Sequence, residues 1–498
     1  MNRAVFRVDA SAAIGGGHVM RCLALADALQ DAGWKTSFAC SQETLATATR
    51  LRESDNDILV IEDSDNEPAA LAAHWPDGAD FLIVDHYGRD IRFESACRPW
   101  AEKILVIDDL ANRDHDCDLL MDQTLGIDLA DYESLVPATC GILQGPDYAP
   151  LRSEFFTSRQ KSISGRQGKL ERLIISVGLT DPSNISARLL EGFVKSGLKL
   201  EVEVILGRAS PKISAVKAQV ENIPSASLSL DVTDMANRLT RGDLVIGAGG
   251  SSAWERCCLG VPALMVQADD NQNRVAKALS KAGAAYVLGT GENFDEGALV
   301  EILRRLNRHP EDVCDMSRAS AAICDGRGAL RLMMFISPEK SRDGSDITLR
   351  PAGPEDAEKI LEWQAHPETR RYARNLRTPE PEEHQEWLHG KLADPGCLLN
   401  IVLLDGKPAG LLRLDLLKES NQKNTPVHEV SILTAPDCYR QGVARAALAL
   451  GRRLLPESRL HGEVLEGNTA SHALFQSAQF GGDGTGYTAA PLYAETRV

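Results

Sequence analysis

The sequence predicts an α/β protein in which two Rossmann-like lobes are followed by a smaller α/β domain. Three observations lead to this prediction. Short apolar runs alternate with helical or loop segments in two successive series, which is typical of parallel strands joined by crossover helices. A polar stretch separates the two series, and a new strand and helix pattern begins at Ile347. The chain has 498 residues, more than one core usually supports, so about two to four domains are expected.

The composition restricts the partners of the protein. A formal net charge of −17 works against nucleic acid or an anionic membrane as the main partner. No apolar run approaches the roughly 20 residues of a membrane-spanning helix, and the N-terminus lacks a basic segment followed by an apolar one. The sequence therefore predicts a cytoplasmic protein. The 11 cysteines are scattered without metal-type spacing, so we expect them to be reduced and expect no metal.

The first element is a strand, Ala4–Val8, followed by a glycine-rich loop and a helix. The loop contains Gly15–Gly17, and apolar side chains recur at helical spacing from Val19 to Leu29. Glycines at such a junction allow close approach of a ligand, and the start of the helix attracts an anion such as a phosphate. His18 lies at this start, where an imidazole can take a proton near neutral pH. The alternative is a tight turn with His18 as a capping or core residue.

The rest of the first lobe continues the alternation. Strand-like runs recur at Thr36–Ala39, Ile58–Ile61, Phe81–Asp85 and Ile104–Ile107. Ligands of such sheets bind beyond the carboxyl ends of the strands. Tyr87, which follows one of these ends, could therefore donate a hydrogen bond to a sugar or a phosphate. Asp108 and Asp109 follow another end, and for them a capping role is the favoured interpretation.

A second series follows the polar stretch Ser158–Lys169, which we interpret as a linker between lobes. Its strand-like runs are Leu173–Val177, Leu200–Leu206 and Leu244–Ile246. The predicted lobes are residues 1–157 and 169–336.

Two polar loops follow strands of this second series. Ser176–Asn184 is one, and Gly247–Arg256 is the other and opens a helix with glycines and serines. Backbone N–H groups there would hold a diphosphate, and Glu255 could accept both hydroxyls of a ribose. The alternative for Glu255 is an interaction with the helix dipole.

Four segments together resemble a known family. Asp9–Arg21, Tyr148–Phe155, Thr180–Asn184 and Gly247–Pro262 are similar to the UDP-2,4-diacetamido-2,4,6-trideoxy-beta-L-altropyranose hydrolases of pseudaminic acid biosynthesis, and the match runs to about Ile336. This family is similar in fold to the GT-B glycosyltransferases, so the resemblance implies a GT-B-like pair of lobes and a UDP-sugar substrate.

The resemblance also implies roles for individual residues. His18 would be the catalytic base, Arg152 and Glu255 would bind substrate, and the second lobe would hold UDP. The sequence departs from the family pattern at Leu179, where a second glycine is usual. The further residues assigned to substrate binding are Asp9, Gly15, Gly17, Tyr87, Gly178, Thr180, Asp181, Ser251, Ser252, Asn271 and Gln272.

The C-terminal part follows a charged segment, Ser337–Asp346, which we expect to be a linker without buried contacts. Asp405 and Gly406 lie between apolar runs and predict a hairpin. A strand over 428–433 leads into the loop before a helix, where Gly442 and Ala444 are small enough for a pyrophosphate to approach the backbone.

From Ile347 to the C-terminus this order of elements resembles the GNAT acetyltransferases. The resemblance implies that acetyl-CoA is the co-substrate. Phe475 stands where many members carry a tyrosine that acts as the general acid. Tyr439 stands where the loop for the pyrophosphate usually has an arginine. Glu429 is the candidate base, with a structural edge charge as the alternative. The residues assigned to acetyl-CoA are Leu433, Gln441, Gly442, Ala444, Arg445 and Asn468.

Together the two resemblances imply a bifunctional enzyme. The domain at 347–498 would acetylate the 4-amine of a UDP-linked sugar, and the N-terminal half would then hydrolyse UDP from the product. The expected partners are small-molecule UDP-sugars and acetyl-CoA, without nucleic acid or membrane, and the oligomeric state is left open. Two alternatives remain, a GT-B glycosyltransferase with a fused acetyltransferase and a non-catalytic UDP-sugar sensor.

Overall fold

The computed structural model describes residues 1–11, 14–62, 66–267, 272–417, 425–482 and 484–493. The chain divides into two compact units, Met1–Ala329 and Leu330–Val498. The first unit contains two parallel sheets and the second a mixed sheet. The predicted α/β class is therefore confirmed.

The first lobe is built on a seven-stranded parallel sheet with the order β3-β2-β1-β4-β5-β6-β7. Its strands are β1 (Arg3–Val8), β2 (Lys35–Cys40), β3 (Asp57–Val60), β4 (Ala79–Asp85), β5 (Ala101–Ile107), β6 (Leu119–Asp122) and β7 (Gly141–Gln144). The helices that precede the second sheet are α1 (Gly17–Asp31), α2 (Gln42–Thr47), α3 (Thr49–Arg52), α4 (Glu67–His74), α5 (Ile91–Cys97) and α6 (Ser153–Gly165).

The second lobe has a six-stranded parallel sheet with the order β10-β9-β8-β11-β12-β13. Its strands are β8 (Arg172–Ser176), β9 (Glu201–Leu206), β10 (Ala226–Leu230), β11 (Leu244–Gly247), β12 (Ala263–Gln267) and β13 (Ala285–Thr290). The helices are α7 (Ile185–Ser196), α8 (Ile213–Val220), α9 (Met235–Arg241), α10 (Ser252–Cys258), α11 (Asn273–Lys281), α12 (Glu296–Arg308) and α13 (Pro310–Ala321). Helix α14 (Gly328–Ile336) follows, and from Leu330 onward it belongs to the second unit.

The predicted linker Ser158–Lys169 is wrong, because most of it lies in helix α6. The buried Arg159 of this helix donates hydrogen bonds to the carbonyl oxygens of Cys258, Ala321 and Cys324 at 2.6, 2.7 and 3.0 Å. The helix is held by polar side chains that satisfy buried carbonyl groups, so it shows little apolar periodicity.

The second unit contains an eight-stranded sheet with the order β14-β15-β16-β17-β18-β19-β21-β20. Its strands are β14 (Glu339–Lys340), β15 (Asp346–Pro351), β16 (Cys397–Leu404), β17 (Lys407–Leu416), β18 (Val427–Thr434), β19 (Arg459–Glu463), β20 (Gly481–Gly482) and β21 (Gly486–Ala489). The helices are α15 (Ala357–Ala365), α16 (Pro367–Arg370), α17 (Pro381–Ala393), α18 (Val443–Leu454) and α19 (Thr469–Ser477). Strands β18 and β19 run parallel, whereas the other pairs are antiparallel.

The second predicted linker, Ser337–Asp346, is also wrong. It forms β14, which pairs with the first residues of β15, and Ser341 in the turn between them is buried. The segment is fixed by backbone pairing and polar contacts, and neither is visible as an apolar pattern. The hairpin predicted at Asp405 is correct, since Asp405 and Gly406 both have the positive φ values that such a tight turn requires.

Candidate functional site

The site of the first lobe lies where the strand order of the sheet reverses, between β1 and β4. These neighbours pair in parallel, with Val8 opposite Asp85 at their carboxyl ends. Open α/β sheets bind ligands in the crevice outside such a point. The glycine loop after β1 and Tyr87 after β4 therefore lie side by side.

His18 is the second residue of α1 and is only 8% exposed. Its Nδ1 atom lies 2.5 Å from Oδ1 of Asp85. An ionised carboxylate can only accept at this distance, so Nδ1 is the donor, and in the neutral imidazole Nε2 is the nitrogen that carries no proton. Among the described residues no group hydrogen-bonds to Nε2 of His18. The arrangement thus presents a proton acceptor at the glycine loop.

Asp85 is held as an anion by the groups around it. Nε and Nη2 of Arg21 each donate to it at 2.6 Å, and Nη1 of Arg21 reaches Asp109 at 3.2 Å. Burial opposes ionisation, but Arg21 and His18 outweigh it and hold the pKa of Asp85 well below its usual range. The ring of Tyr87 meets that of His18 edge-on, with centroids 4.7 Å apart. The imidazole is therefore fixed by packing as well as by charge.

The carboxylate of Asp9, predicted to bind substrate, is occupied by protein donors. One oxygen accepts from the backbone N–H of Ser41 at 2.7 Å, and the other lies 2.9 Å from both Nη1 of Arg7 and Nε2 of His86. In this structure Asp9 ties the end of β1 to the segments around it.

The glycine loops of the two lobes meet. Gly15 has φ +76° and donates its N–H to the carbonyl of Ser11 at 2.8 Å. A Cβ atom on Gly16 would lie 2.5 Å from Cδ1 of Leu179, and one on Gly17 would lie 3.4 Å from Oγ of Ser251. Gly16 therefore allows Leu179 to approach the start of α1, and Ser251 lies within contact distance of Gly17.

The second lobe also reverses its strand order, between β8 and β11, and its predicted loops follow these strands. Gly178 has φ +121°, and Thr180 and Asp181 are buried. The two carboxylate oxygens of Asp181 accept the backbone N–H groups of Ile185 and Ser186 at 2.8 and 3.0 Å. Asp181 thus fixes the start of α7.

The loop before α10 is braced from two sides. Ser251 accepts a hydrogen bond from Nε2 of Gln123 of the first lobe at 3.4 Å. Gln272 accepts the backbone N–H of Gly249 at 2.9 Å. Ser252, the first residue of α10, is half-buried. The predicted residue Asn271 lies outside the described residues.

Glu255 and Arg152, both predicted to bind substrate, influence each other electrostatically. Burial raises the pKa of Glu255, and the Arg152 guanidinium acts in the opposite direction. Arg152 is buried and forms an ion pair with Glu154 at 2.7 Å. A cation therefore lies close to the carboxyl group that was predicted to bind a ribose.

In the second unit, pairing between the parallel strands β18 and β19 covers Val427–Glu429 only. Leu433 lies beyond this pairing, where β18 remains bonded to β17 through Leu411. Gly442 has φ +93° and precedes α18. Gln441, Ala444 and Arg445 lie beside it in the chain. Asn468 caps α19, since its side chain accepts the N–H of Ser471 at 3.1 Å.

Glu429, the predicted base of the acetyltransferase, forms an ion pair with Arg374, which also donates to Glu463 at 2.8 Å. Phe475 is buried, and a Cβ atom on Gly462 would lie 2.5 Å from its ring. The aromatic position thus packs directly on β19.

The sequence interpretation did not assign a role to Asp85 or Arg21. A signal was present for Asp85, because it ends the apolar run Phe81–Val84 at the carboxyl edge where a ligand was expected. Its pairing with His18 depends on the sheet order, which the sequence pattern does not specify.

Among the described residues no group of three or more His, Cys, Asp or Glu side chains is placed to hold a metal ion. In the same part of the chain, none of the helices combines the length and the apolar character needed to cross a bilayer.

The fold is a pair of lobes, each built on a parallel sheet, followed by a unit with a mixed sheet, and known families match parts of both units. Residues 183–327 match the glycosyltransferase family 28 C-terminal domain, and residues 346–480 match the acetyltransferase (GNAT) domain. The C-terminal unit therefore contains a GNAT domain, as the sequence resemblance implied.

Curated relatives extend the match to the first lobe. The UDP-2,4-diacetamido-2,4,6-trideoxy-beta-L-altropyranose hydrolase of Campylobacter jejuni is 26% identical over 282 residues, 56% of this chain and 97% of that protein. Uncharacterized protein MJ1062 of Methanocaldococcus jannaschii is 22% identical over 488 residues, 95% of each chain. Spore coat polysaccharide biosynthesis protein SpsG of Bacillus subtilis is 27% identical over 198 residues, 39% of this chain and 58% of that protein. The resemblance to the named hydrolase and to the GNAT enzymes is thereby confirmed.

Proposed function

We propose that this chain carries out two consecutive steps on a UDP-linked amino sugar. The second unit transfers acetyl from acetyl-CoA to the 4-amino group. The first unit then hydrolyses UDP from UDP-2,4-diacetamido-2,4,6-trideoxy-beta-L-altropyranose. The observation that carries the proposal is His18, held by Asp85 with Nε2 available, opposite the Ser251 loop. The relative from Campylobacter jejuni and the GNAT match support this pair of activities.

In the hydrolysis, His18 acts as general base. Nε2 takes a proton from a water molecule whose oxygen forms a bond to the anomeric carbon. The bond between that carbon and the diphosphate oxygen breaks, and its electron pair leaves with UDP. Asp85 remains ionised and stabilises the imidazolium that forms, because its pKa lies well below the usual range.

The second lobe holds the leaving group in this proposal. Backbone N–H groups at Gly178 and in the loop from Gly250 to Ser252 stabilise the diphosphate as its charge increases. Glu255 accepts the ribose hydroxyls. Arg152 stays close to Glu255 and favours its ionised form.

In the second unit, the pantetheine arm of acetyl-CoA lies along the part of β18 that β19 leaves unpaired, because its amides can bond to a free strand edge. The loop at Gly442 holds the pyrophosphate. Glu429 takes a proton from the acceptor ammonium, which requires the exposed Arg374 side chain to move aside. A group other than Phe475 protonates the departing thiolate.

The hydrolase proposal is tested with His18→Ala. Positioned base catalysis contributes about 10²- to 10⁴-fold, so we expect UDP release to fall by that order while UDP affinity changes little. His74→Ala, a change at a partly exposed histidine of the same lobe, serves as the matched control. Turnover of His18→Ala at the rate of the unmodified protein would refute the assignment.

The paired activities are tested by mass spectrometry of the full chain with acetyl-CoA and the UDP-linked 4-amino precursor. We expect the gain of one acetyl group, followed by free sugar and UDP. A glycosyltransferase would release little free sugar without an acceptor. A sensor would bind both ligands and convert neither, so each alternative predicts a different product pattern.

A further inference from the structure

The turn between β14 and β15 is docked on the loop that precedes α18. The backbone N–H of Arg342 donates to the carbonyl of Gln441 at 2.9 Å. A Cβ atom on Gly442 would lie 3.4 Å from both N and Cγ of Arg342. The side chain of Arg342 therefore starts directly beside the loop to which the proposed function assigns the pyrophosphate of acetyl-CoA.

Hydrogen bonds within the turn fix its conformation. The N–H of Ser341 donates to the carbonyl of Ser345 at 2.9 Å. The carboxylate of Asp343 accepts from Oγ of Ser341 and, at 3.3 Å, from the N–H of Ser345. Arg453 of α18 donates to the carbonyl of Ser337, just before β14, at 2.9 Å. The segment is thus anchored to the helix whose N-terminus it flanks.

The guanidinium of Arg342 is exposed and, among the described residues, forms neither an ion pair nor a hydrogen bond. The carboxylate nearest to it in sequence, that of Asp343, is used within the turn. Arg440 and Arg445, on either side of Gly442, are also exposed and have no ion-pair partner in the described part of the chain. In a protein of net charge −17, three uncompensated cations around one loop favour an anionic ligand.

We infer that Arg342 binds the diphosphate of acetyl-CoA, an inference that rests on the proposed acetyltransferase function. The guanidinium supplies paired N–H donors that match phosphate oxygens. Arg342 thereby replaces the arginine that the loop at Gly442 usually has, since Tyr439 occupies the expected position. The cation comes from a segment before residues 346–480, which match the GNAT domain. The coenzyme site is therefore completed by residues outside the matched domain.

The test measures coenzyme binding to the full chain by calorimetry with CoA and with dephospho-CoA, which lacks the 3′-phosphate. A charge-assisted hydrogen bond contributes about 1 to 2 kcal/mol at an accessible site, so Arg342→Ala should raise the Kd of both ligands about 5- to 30-fold. Arg342→Lys should recover only part of the affinity, because lysine keeps the positive charge but lacks the paired N–H donors of the guanidinium.

Arg459→Ala is the matched control. Arg459 is exposed at the first residue of β19 and has no ion-pair partner among the described residues. We expect the affinity of Arg459→Ala for CoA to stay within about twofold of that of the unmodified protein, since a single distant surface charge is screened by salt. Binding of UDP to the first unit should be unchanged in every variant.

Three results would overturn the inference. One is equal CoA affinity of Arg342→Ala and the unmodified chain. Another is an equal loss in Arg459→Ala, which would indicate only a change in net charge. The third is a loss of affinity of Arg342→Ala for CoA but not for dephospho-CoA, which would show that Arg342 contacts the 3′-phosphate and not the diphosphate. Failure of the unmodified chain to bind CoA would instead refute the acetyltransferase function itself.

Discussion

The ring of His18 is held by Asp85, which forms a buried ion pair with Arg21. Asp85 and Arg21 are both buried, and each satisfies the other. Removing one partner of such a pair leaves an uncompensated charge, which costs about 3 to 5 kcal/mol. The same two residues thus support the stability of the first lobe and determine which nitrogen of His18 carries the proton.

Asp85→Asn should therefore impair catalysis without removing the base. An amide at this position no longer stabilises the imidazolium, so we expect hydrolysis to fall about 10²-fold or more. Steady-state UDP release at a temperature where circular dichroism reports a folded protein measures the effect. Asp109→Asn is the control, because Asp109 contacts the same arginine at a longer distance, 3.2 Å. Equal rates for the two variants would argue against a role of Asp85 in fixing the base.

The pH dependence of stability gives a second measurement on Asp85→Asn. The pKa of Asp85 is lowered by folding, so its contribution to stability is present above the ordinary value of about 3.9 and is lost as the pH falls below it. The free energy of unfolding of the unmodified chain should therefore decrease more steeply on the acid side than that of the variant. If the free energy of unfolding fell equally steeply with decreasing pH in both proteins, Asp85 would not be a carboxylate stabilised by ion pairing.

At the scale of elements, the start of α1 and the loop after β8 are complementary in shape. Gly16 has no side chain, and Leu179 fills the space that a Cβ atom would need. Leu179 is the position at which the sequence departs from the hydrolase pattern, which usually has glycine. We therefore expect the two positions to depend on each other.

Gly16→Ala should lower hydrolysis about 2- to 5-fold, because the new methyl group would lie 2.5 Å from Cδ1 of Leu179 and force this side chain to turn away. Combining it with Leu179→Gly removes the clash and should restore most of the activity. The measurement is kcat and KM for the single variants and the double variant. Additive losses would show that the loops do not interact.

For the whole molecule, the division between the two units falls inside α14, between Ala329 and Leu330. Met334 is fully buried in the core of the second unit, and Leu330 and Phe335 pack against the same core. The strand β14 extends the sheet of that unit. The GNAT unit therefore requires chain that precedes residues 346–480.

Fragments of the chain test this requirement. A fragment 326–498 should fold and bind CoA, whereas 346–498 lacks Met334 and β14 and should be less stable by about 2 to 5 kcal/mol. Urea unfolding of the two fragments, followed by tryptophan fluorescence, measures the difference. Equal midpoints would mean that the preceding segment contributes nothing to the fold of this unit.

Local chemistry explains what could be predicted from the sequence. Apolar runs at strand spacing, glycines before a helix and the Asp405–Gly406 turn each depend on residues adjacent in the chain. They are sufficient for the α/β class, for most strands and for the proximity of His18 to a glycine loop. The predicted linkers failed because α6 is stabilised by polar contacts with distant segments and β14 by backbone pairing with β15, and neither leaves an apolar pattern.

The sequence by itself determined the α/β alternation and the two glycine loops that follow strands. Only the tertiary structure brought Asp85 to Nδ1 of His18 across 67 residues, and only it set Arg342 beside Gly442. The physical reason is that a charged side chain is buried or oriented by whichever partners the fold brings within about 3 Å. Strand order determines those partners, and strand order results from the packing of the whole sheet.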